Sequence, residues 1–325
     1  MRKILYGAVV LAAVAAVGQG CSKIDIKPTP IVNLYDPMLR FDSMDSASRH
    51  DFIADDSVCI KALLKLYDIS SVTDDELARW SKSAPVRIFT PAVDSVYSDL
   101  SALEISLGNI LYNADANGLD FPRRKYAAVV WGSRKSMAFV DSVLLIALNH
   151  YLGSDYPGYG PWPEYQRYEK NPENLPYDLA EALTAVAYPY VPGKDPTALS
   201  RMLYEGALMY AKMKLVPQAT LAGALGYTEQ QMNWFQANMK SVWRRIVENK
   251  LLYTSSAETI DRLIGPAPST SPLGQEVPGR AGRYIGYRII CAYLEQNSKM
   301  TLAELLSPDF YNNPSVLIES AYSGE

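Results

Sequence analysis

Two histidines, His50 and His150, are the whole supply of imidazole in 325 residues, and that scarcity limits the chemistry this chain can do. A hydrolytic zinc centre on one helix needs His-Glu-x-x-His. Imidazoles one turn apart leave the same face toward a single cation, while the glutamate activates the bound water. Neither His50 nor His150 has a histidine four residues away, so the motif is absent. There is no Gly-x-Ser-x-Gly elbow to present a nucleophilic serine. The run Gly279-Arg280-Ala281-Gly282-Arg283-Tyr284-Ile285-Gly286 is glycine-rich, but its spacing is not Gly-x-Gly-x-x-Gly and no Gly-Lys-Ser/Thr follows. Sequence-neighbouring carboxylates, Glu164 with Glu169 and Asp178 with Glu181, lie on polar segments and read as solvated surface. No residue is assigned a catalytic role, and no metal or diffusible cofactor is expected.

One stretch is built for contact. Residues 151–168 carry Tyr156, Tyr159, Trp162 and Tyr165 among prolines and glycines. Aromatics on a stiffened loop lose little entropy on binding and offer an apolar face with a polar tip, which suits a peptide, a sugar or a partner protein. Packed inward, the same residues would make an Ω-type loop that seals the core. The cost of ordering so long a segment favours that second reading.

The N-terminus settles where the chain goes. Arg2 and Lys3 precede an apolar run from Ile4 to Val17, then Gly18-Gln19-Gly20-Cys21-Ser22. This is a signal peptide over residues 1–20, too short to span as a stable helix, with small residues before a cysteine that becomes the lipidated first residue. The covalent lipid on Cys21 is the expected anchor, at about 0.8 kcal/mol per buried methylene. A polar, proline-bearing tether follows over residues 21–30. Removing Arg2 and Lys3 with the signal takes the formal charge from −4 to −6, which offers no electrostatic footprint for nucleic acid. Cys59 and Cys291 each lie in an apolar helical stretch, where two buried free thiols are at least as reasonable as a bridge.

The elements that must position these residues read as α+β and mainly α-helical, with a small sheet in the first half packed by helices. Residues 31–325 read as one domain, strand-containing over about 31–155 and helical over about 177–325. Ile31 to Met44 suggests one or two short strands. Thr73 with Glu76 caps a helix, and Val93 to Leu111 keeps a 3.6-residue period that predicts one amphipathic helix. Strands are expected over Tyr126–Trp131, Met137–Val140 and Val143–Leu148. Helices follow over Leu199–Leu215 and Thr228–Leu252, then from Ser255, from Gly282 to Gln296, and from Thr301. Gly282 and Gly286 fall on one face of their helix, which predicts a close approach by another element.

Taken together, Leu145-Ile146-Ala147-Leu148-Asn149-His150-Tyr151-Leu152-Gly153, Gly226-Tyr227-Thr228-Glu229-Gln230, the run from Ile246 to Tyr253 and Pro278 to Tyr287 resemble the GldB family of gliding-motility lipoproteins of the Bacteroidota. The resemblance implies an outer-membrane lipoprotein on a degenerate zincin-like scaffold, distantly similar to predicted zinc proteases of gluzincin type. In such relatives a Glu-Gly pair supplies the third zinc ligand, and Glu205-Gly206 is similar to it, while His150 lies where the double-histidine helix is expected. His150 and Glu205, with Asp155 as a further donor, are therefore candidates for a vestigial metal site. The plainer alternative makes His150 a hydrogen-bonded residue closing a strand and Glu205 a paired helix carboxylate. The expected function is non-catalytic protein–protein contact in outer-membrane, gliding or secretion-related machinery. The alternatives are an envelope zinc metallohydrolase with an irregular site and a glycan- or peptide-binding lipoprotein using the 151–168 loop. The tether lacks a run of acidic residues resembling a surface-export signal, which favours the periplasmic face of the outer membrane over the cell surface.

Overall fold

Alternating apolar side chains build a sheet buried on both faces. In the computed structural model, which describes residues 26–69 and 71–324, four strands form a sheet of order β1-β2-β4-β3: β1 (Val32–Asn33), β2 (Lys125–Val129), β3 (Met137–Val140) and β4 (Val143–Ala147). The signal segment and Cys21 lie outside the described residues. β1, β2 and β4 run parallel, and β3 closes one edge antiparallel to β4. Tyr126, Ala128, Val130, Leu144 and Ile146 point into one core, while Ala127, Val129, Trp131, Val143 and Leu145 point into the other. Two covered faces explain why these strands read as continuous apolar runs rather than as alternation with polar residues.

The helices of the first half are α1 (Tyr35–Arg40), α2 (Ser46–Asp55), α3 (Ser57–Lys65), α4 (Asp74–Ser81), α5 (Ala84–Val96) and α6 (Ser101–Ala116). Met38, Cys59, Ile60, Leu63, Leu64 and Leu77, from α1, α3 and α4, cover one face of the sheet. Then come α7 (Glu164–Tyr168), α8 (Leu175–Ala187), α9 (Ala198–Leu215), α10 (Leu221–Leu225), α11 (Glu229–Glu248), α12 (Ala257–Ile264) and α13 (Ala281–Gln296). Three short helices finish the chain: α14 (Leu302–Leu305), α15 (Pro308–Tyr311) and α16 (Ser315–Glu319). Together with α6, the longer of these helices build the larger core on the opposite face of the sheet. The α+β, mainly helical class expected from the sequence is the one observed.

Several boundaries differ from expectation, among them the helix read to Leu252, which ends at Glu248. Only Val32–Asn33 of the Ile31–Met44 segment pairs as a strand, and from Tyr35 the chain coils. There Tyr35, Met38 and Phe41 are buried at three-residue spacing, and Pro37 in the first turn gives up no needed N–H. The single helix read from Val93 to Leu111 is two, because the chain breaks at Tyr97 and restarts after the Asp99 carboxylate accepts from the Ser101 amide at 2.9 Å. Apolar spacing carries on across the break, so periodicity alone does not see it. The helix expected from Ser255 is capped one residue later, where Ser256 accepts from Thr259 N. The capping boxes at Thr228–Gln231 and Thr301–Glu304 both form.

At the centre lies α9, with Lys212, Glu205 and Gly206 among its buried residues. It crosses α13 with glycine against glycine. A Cβ on Gly286 would sit 1.8 Å from the Met202 carbonyl oxygen, and one on Gly206 would sit 2.3 Å from the Gly286 carbonyl carbon. The approach predicted from Gly282 and Gly286 is thus made with two partners, since a Cβ on Gly282 would meet the Leu263 carbonyl oxygen of α12 at 2.9 Å. Cys59 and Cys291 are both free thiols. Among the described residues no helix is long and apolar enough to cross a membrane.

Candidate functional site

The backbone contact between α9 and α13 brings oppositely charged side chains together at the bottom of a cleft. Arg283, one turn before Gly286, reaches between two helices: its Nη1 lies 3.0 Å from Glu181 Oε1 of α8, and its Nη2 lies 2.9 Å from Glu205 Oε2 of α9. Arg201, one turn before Glu205, takes the other carboxylate oxygen at 2.8 Å. Lys212 Nζ lies 2.6 Å from Glu181 Oε2. Arg280, just before α13, pairs with Glu169 at 2.6 Å and donates to the Leu225 carbonyl at 2.9 Å. Asp178 accepts a 2.7 Å bond from the Tyr151 hydroxyl.

Burial and charge act against each other here. Burial pushes the Glu181 carboxyl up, but the charges of Arg283 and Lys212 outweigh it and hold the group well below the usual carboxylate range. Burial likewise works against the Arg283 cation, and Glu181 and Glu205 more than restore it. Asp178 has weaker compensation, so burial raises its pKa despite the bond from Tyr151 and the charge of Lys212. Glu169, Glu181 and Glu205 are thus each paired with a cationic side chain, and Asp178 accepts from Tyr151.

Above these ions a crevice of about 180 Å³, lined by Asp178, Glu181, Lys212 and Arg283, adjoins a wider cleft of about 840 Å³, and Glu169, Gly226, Pro266 and Arg280 border both. One wall of the cleft is α7 and its flanks, with Tyr165, Arg167 and Tyr168; the other is the first turn of α11 and the Pro266-Ala267-Pro268 loop. The walls are tied together by Tyr168, whose hydroxyl donates to the Tyr227 carbonyl at 3.2 Å, and by Tyr227, whose hydroxyl donates to the Gly279 carbonyl at 2.5 Å.

The residues singled out from the sequence fall into separate places. His150 follows β4 in a short 3-10 turn, and its Nε2–H donates to the Ser133 carbonyl at 2.9 Å. Burial first, then the nearby Lys170 charge, lowers its pKa to about 4 against the opposing effect of that bond, so the ring is neutral. Its Nδ1 is buried without a hydrogen-bond partner among the described residues. Glu205 is held by two arginines, and no contact joins it to His150. Asp155 is exposed at the cleft. His50 is exposed on α2.

In the aromatic loop, Tyr159 is buried and stacks on Trp162 with centroids 5.3 Å apart, while Tyr156 packs edge-on against it and Trp162 packs near His150. The Tyr159 hydroxyl donates to the Asn149 carbonyl at 2.6 Å. Tyr159 is thus buried, Tyr156 and Trp162 are half-buried against it, and Tyr165 lines the cleft.

The ion network is what the sequence reading missed. Asp178 and Glu181 are not the solvated pair expected: they lie on the side of α8 turned toward α9 and α13. A signal was available, since Leu175-Pro176-Tyr177-Asp178-Leu179-Ala180-Glu181-Ala182-Leu183 carries no other charge, and a helix whose only charges share one stripe in an apolar surround is pairing them inside.

Among the described residues no three His, Cys, Asp or Glu side chains group to hold a metal ion. No curated protein and no solved structure matches the chain. The family model for gliding motility protein GldB matches residues 56–324, a span that takes in β2, β3 and β4, the aromatic loop and every residue of the ion network, and the chain belongs to that family.

Proposed function

We propose that this protein is a non-catalytic lipoprotein of the cell envelope, anchored by lipid on Cys21, that acts through protein–protein contacts in outer-membrane machinery of gliding or secretion. Membership in a gliding-motility lipoprotein family supports the envelope setting and the anchor. The tether sequence supports the periplasmic face of the outer membrane, and protease accessibility on intact cells tests that placement.

The non-catalytic reading rests on the condition of Glu205. A zinc-ligating carboxylate must offer a free oxygen to the cation. Both oxygens of Glu205 face guanidinium groups, and the Arg283 cation stands between Glu205 and Glu181, where its charge repels a divalent ion. His150 lies elsewhere and spends its Nε2–H on a backbone carbonyl. The residues present do not fit a gluzincin-type zinc centre.

Metal analysis of protein purified without chelators tests this directly. The expected result is substoichiometric zinc that His150→Ala does not change. Stoichiometric zinc lost in that variant would overturn the reading and restore an envelope metallohydrolase. A glycan-binding role has less support, because Tyr159 is buried and Tyr156 and Trp162 spend ring faces or edges on it. Trp162 fluorescence that shifts saturably with an oligosaccharide would revive it.

A further inference from the structure

The antiparallel edge of the sheet carries a feature that neither the ion network nor the cleft uses. β3 is an edge strand, and Met137, Ala138 and Phe139 are only partly buried. The Ala147 amide donates to the Ser136 carbonyl at 2.9 Å, and Met137 lies opposite Ile146 and Phe139 opposite Leu144. Alternation along an antiparallel ladder then turns the N–H and C=O groups of Met137 and Phe139 away from β4, toward the open side. Along this edge runs a groove of about 650 Å³, floored by Trp131 and the β3 side chains and walled by Leu66 and Tyr67 at the end of α3, both of them 40% exposed. Unpaired backbone groups beside an apolar groove are the two halves of a strand-addition site: main-chain bonds give affinity and alternate side chains fill the groove.

The charge around it names the occupant. From Phe121 to Val140 the sequence holds Arg123, Arg124, Lys125, Arg134 and Lys135 and no carboxylate, in a chain of formal charge −4. Arg134 and Lys135 stand exposed just before β3, and at its far end Arg124 lies over the Phe139 ring with its guanidinium carbon 4.8 Å from the centroid. The neighbouring acids are Asp141, which Lys65 pairs at 2.8 Å, and Asp68 beside Tyr67. We infer that the β3 edge is a docking site for an extended, acidic segment of a partner protein, which adds as a strand beside Met137–Phe139 with apolar side chains in the Leu66–Tyr67–Trp131 groove. The inference rests on the reading that the protein works through protein contacts and gives that reading a surface and a partner chemistry.

A fluorescent ten-residue peptide alternating Glu with Val, titrated into the purified full-length protein in detergent, tests it, with the Lys-for-Glu peptide as comparison. Saturable binding is expected, at least about tenfold tighter for the acidic peptide, weakened about tenfold or more by Arg134→Glu with Lys135→Glu and by higher salt. Met137→Pro deletes one outward N–H at a position where an edge strand accepts proline, and is expected to abolish binding with the circular dichroism spectrum unchanged. Should Met137→Pro fail to fold, the charge-reversed variant decides. No saturable binding, equal binding of the two peptides, or indifference to the charge reversal overturns the proposal. So does self-association through this edge that Met137→Pro abolishes, since the occupant would then be a second copy. These arms need neither lipid nor envelope, so their failure is separable from that of the lipoprotein reading, which the zinc and protease experiments address.

Discussion

Two layers cover the same sheet and are made by different rules. On one face, α1, α3 and α4 present Met38, Ile60, Leu63, Leu64 and Leu77 to Ala127, Val129 and Leu145, an interface of hydrocarbon with the Cys59 thiol. On the other, α9 and α13 touch backbone to backbone through Gly206 and Gly286 and bury Glu205 and Lys212 within reach of Arg283 and Glu181. An apolar layer tolerates sliding at modest cost, because hydrophobic burial is non-directional. A layer of paired ions does not, since each charge taken from water needs its partner at hydrogen-bonding distance. The second layer therefore fixes one relative position of α8, α9 and α13, and with it the crevice and the cleft above.

If that difference is real, removing one ion must cost more than its contacts suggest. Arg283→Met keeps an apolar stem of similar length but leaves Glu181 and Glu205 without their shared cation, and breaking a buried pair in this way costs about 3–5 kcal/mol. Denaturant unfolding of the purified protein measures it; a loss under about 1 kcal/mol would put Arg283 on a par with a surface ion pair and erase the contrast between the layers.

The second largest effect is a pH dependence. His150 has a folded pKa lowered from 6.5 to about 4. The unfolded chain therefore binds the extra proton first, so stability is complete above pH 6.5 and falls as the pH drops from 6.5 toward 4. At 1.36 kcal/mol per unit the loss is about 3 kcal/mol. In His150→Gln the stability-versus-pH curve is expected to flatten over that window; a wild-type curve already flat between pH 6.5 and 4 would show that the ring is not buried neutral. Glu181, held below its usual range, loses its contribution only at lower pH, below about 4.3 where the unfolded carboxyl takes up its proton.

Gly286→Ala follows. The added carbon would stand 1.8 Å from a backbone oxygen that no rotamer change can move, so α9 and α13 must separate, at about 1–3 kcal/mol and toward the upper end. Gly118→Ala is a useful contrast, since its Cβ meets nothing and only its φ of +74° opposes the change. Equal thermal shifts for the two would mean that the helix crossing has room.

Much of this architecture could be read from the residues, and the reasons differ from place to place. The strands were readable because Tyr126–Trp131 and Val143–Leu148 are apolar, β-branched or aromatic, and punctuated by Gly132-Ser133 and Asp141-Ser142. The capping boxes were readable because a threonine hydroxyl and a side chain three residues on satisfy each other locally. The glycine stripe of α13 implied a close approach without naming α9 as the partner. The ion network is not legible in the sequence, because it joins Glu181, Glu205 and Arg283 across three helices, and pairing at that sequence distance leaves no local mark beyond charges in an apolar surround. The entropy cost of a long loop favours packing its Tyr and Trp inward, yet the anchor of Tyr159, the Asn149 carbonyl, is a backbone atom that composition cannot point to.

The smallest effect separates the inner ions from the rim. Arg280 sits at φ +65°, in the left-handed region, immediately before α13, and pairs with Glu169, which borders both the crevice and the cleft. Arg280→Gly and Arg280→Ala delete the same guanidinium, and they differ in that alanine keeps a Cβ at a positive φ. The alanine variant should be less stable than the glycine variant by about 1 kcal/mol, the cost of holding an L side chain in that conformation. Arg280 pairs with Glu169 whereas Arg283 is shared by Glu181 and Glu205, and relief of that strain in Arg280→Gly offsets part of the lost pair, so the glycine variant should lose less than Arg283→Met, about 1–2 kcal/mol. A loss of about 3 kcal/mol or more in Arg280→Gly would place Arg280 with Arg283, and the charged layer would then extend from the α9–α13 crossing to the cleft itself.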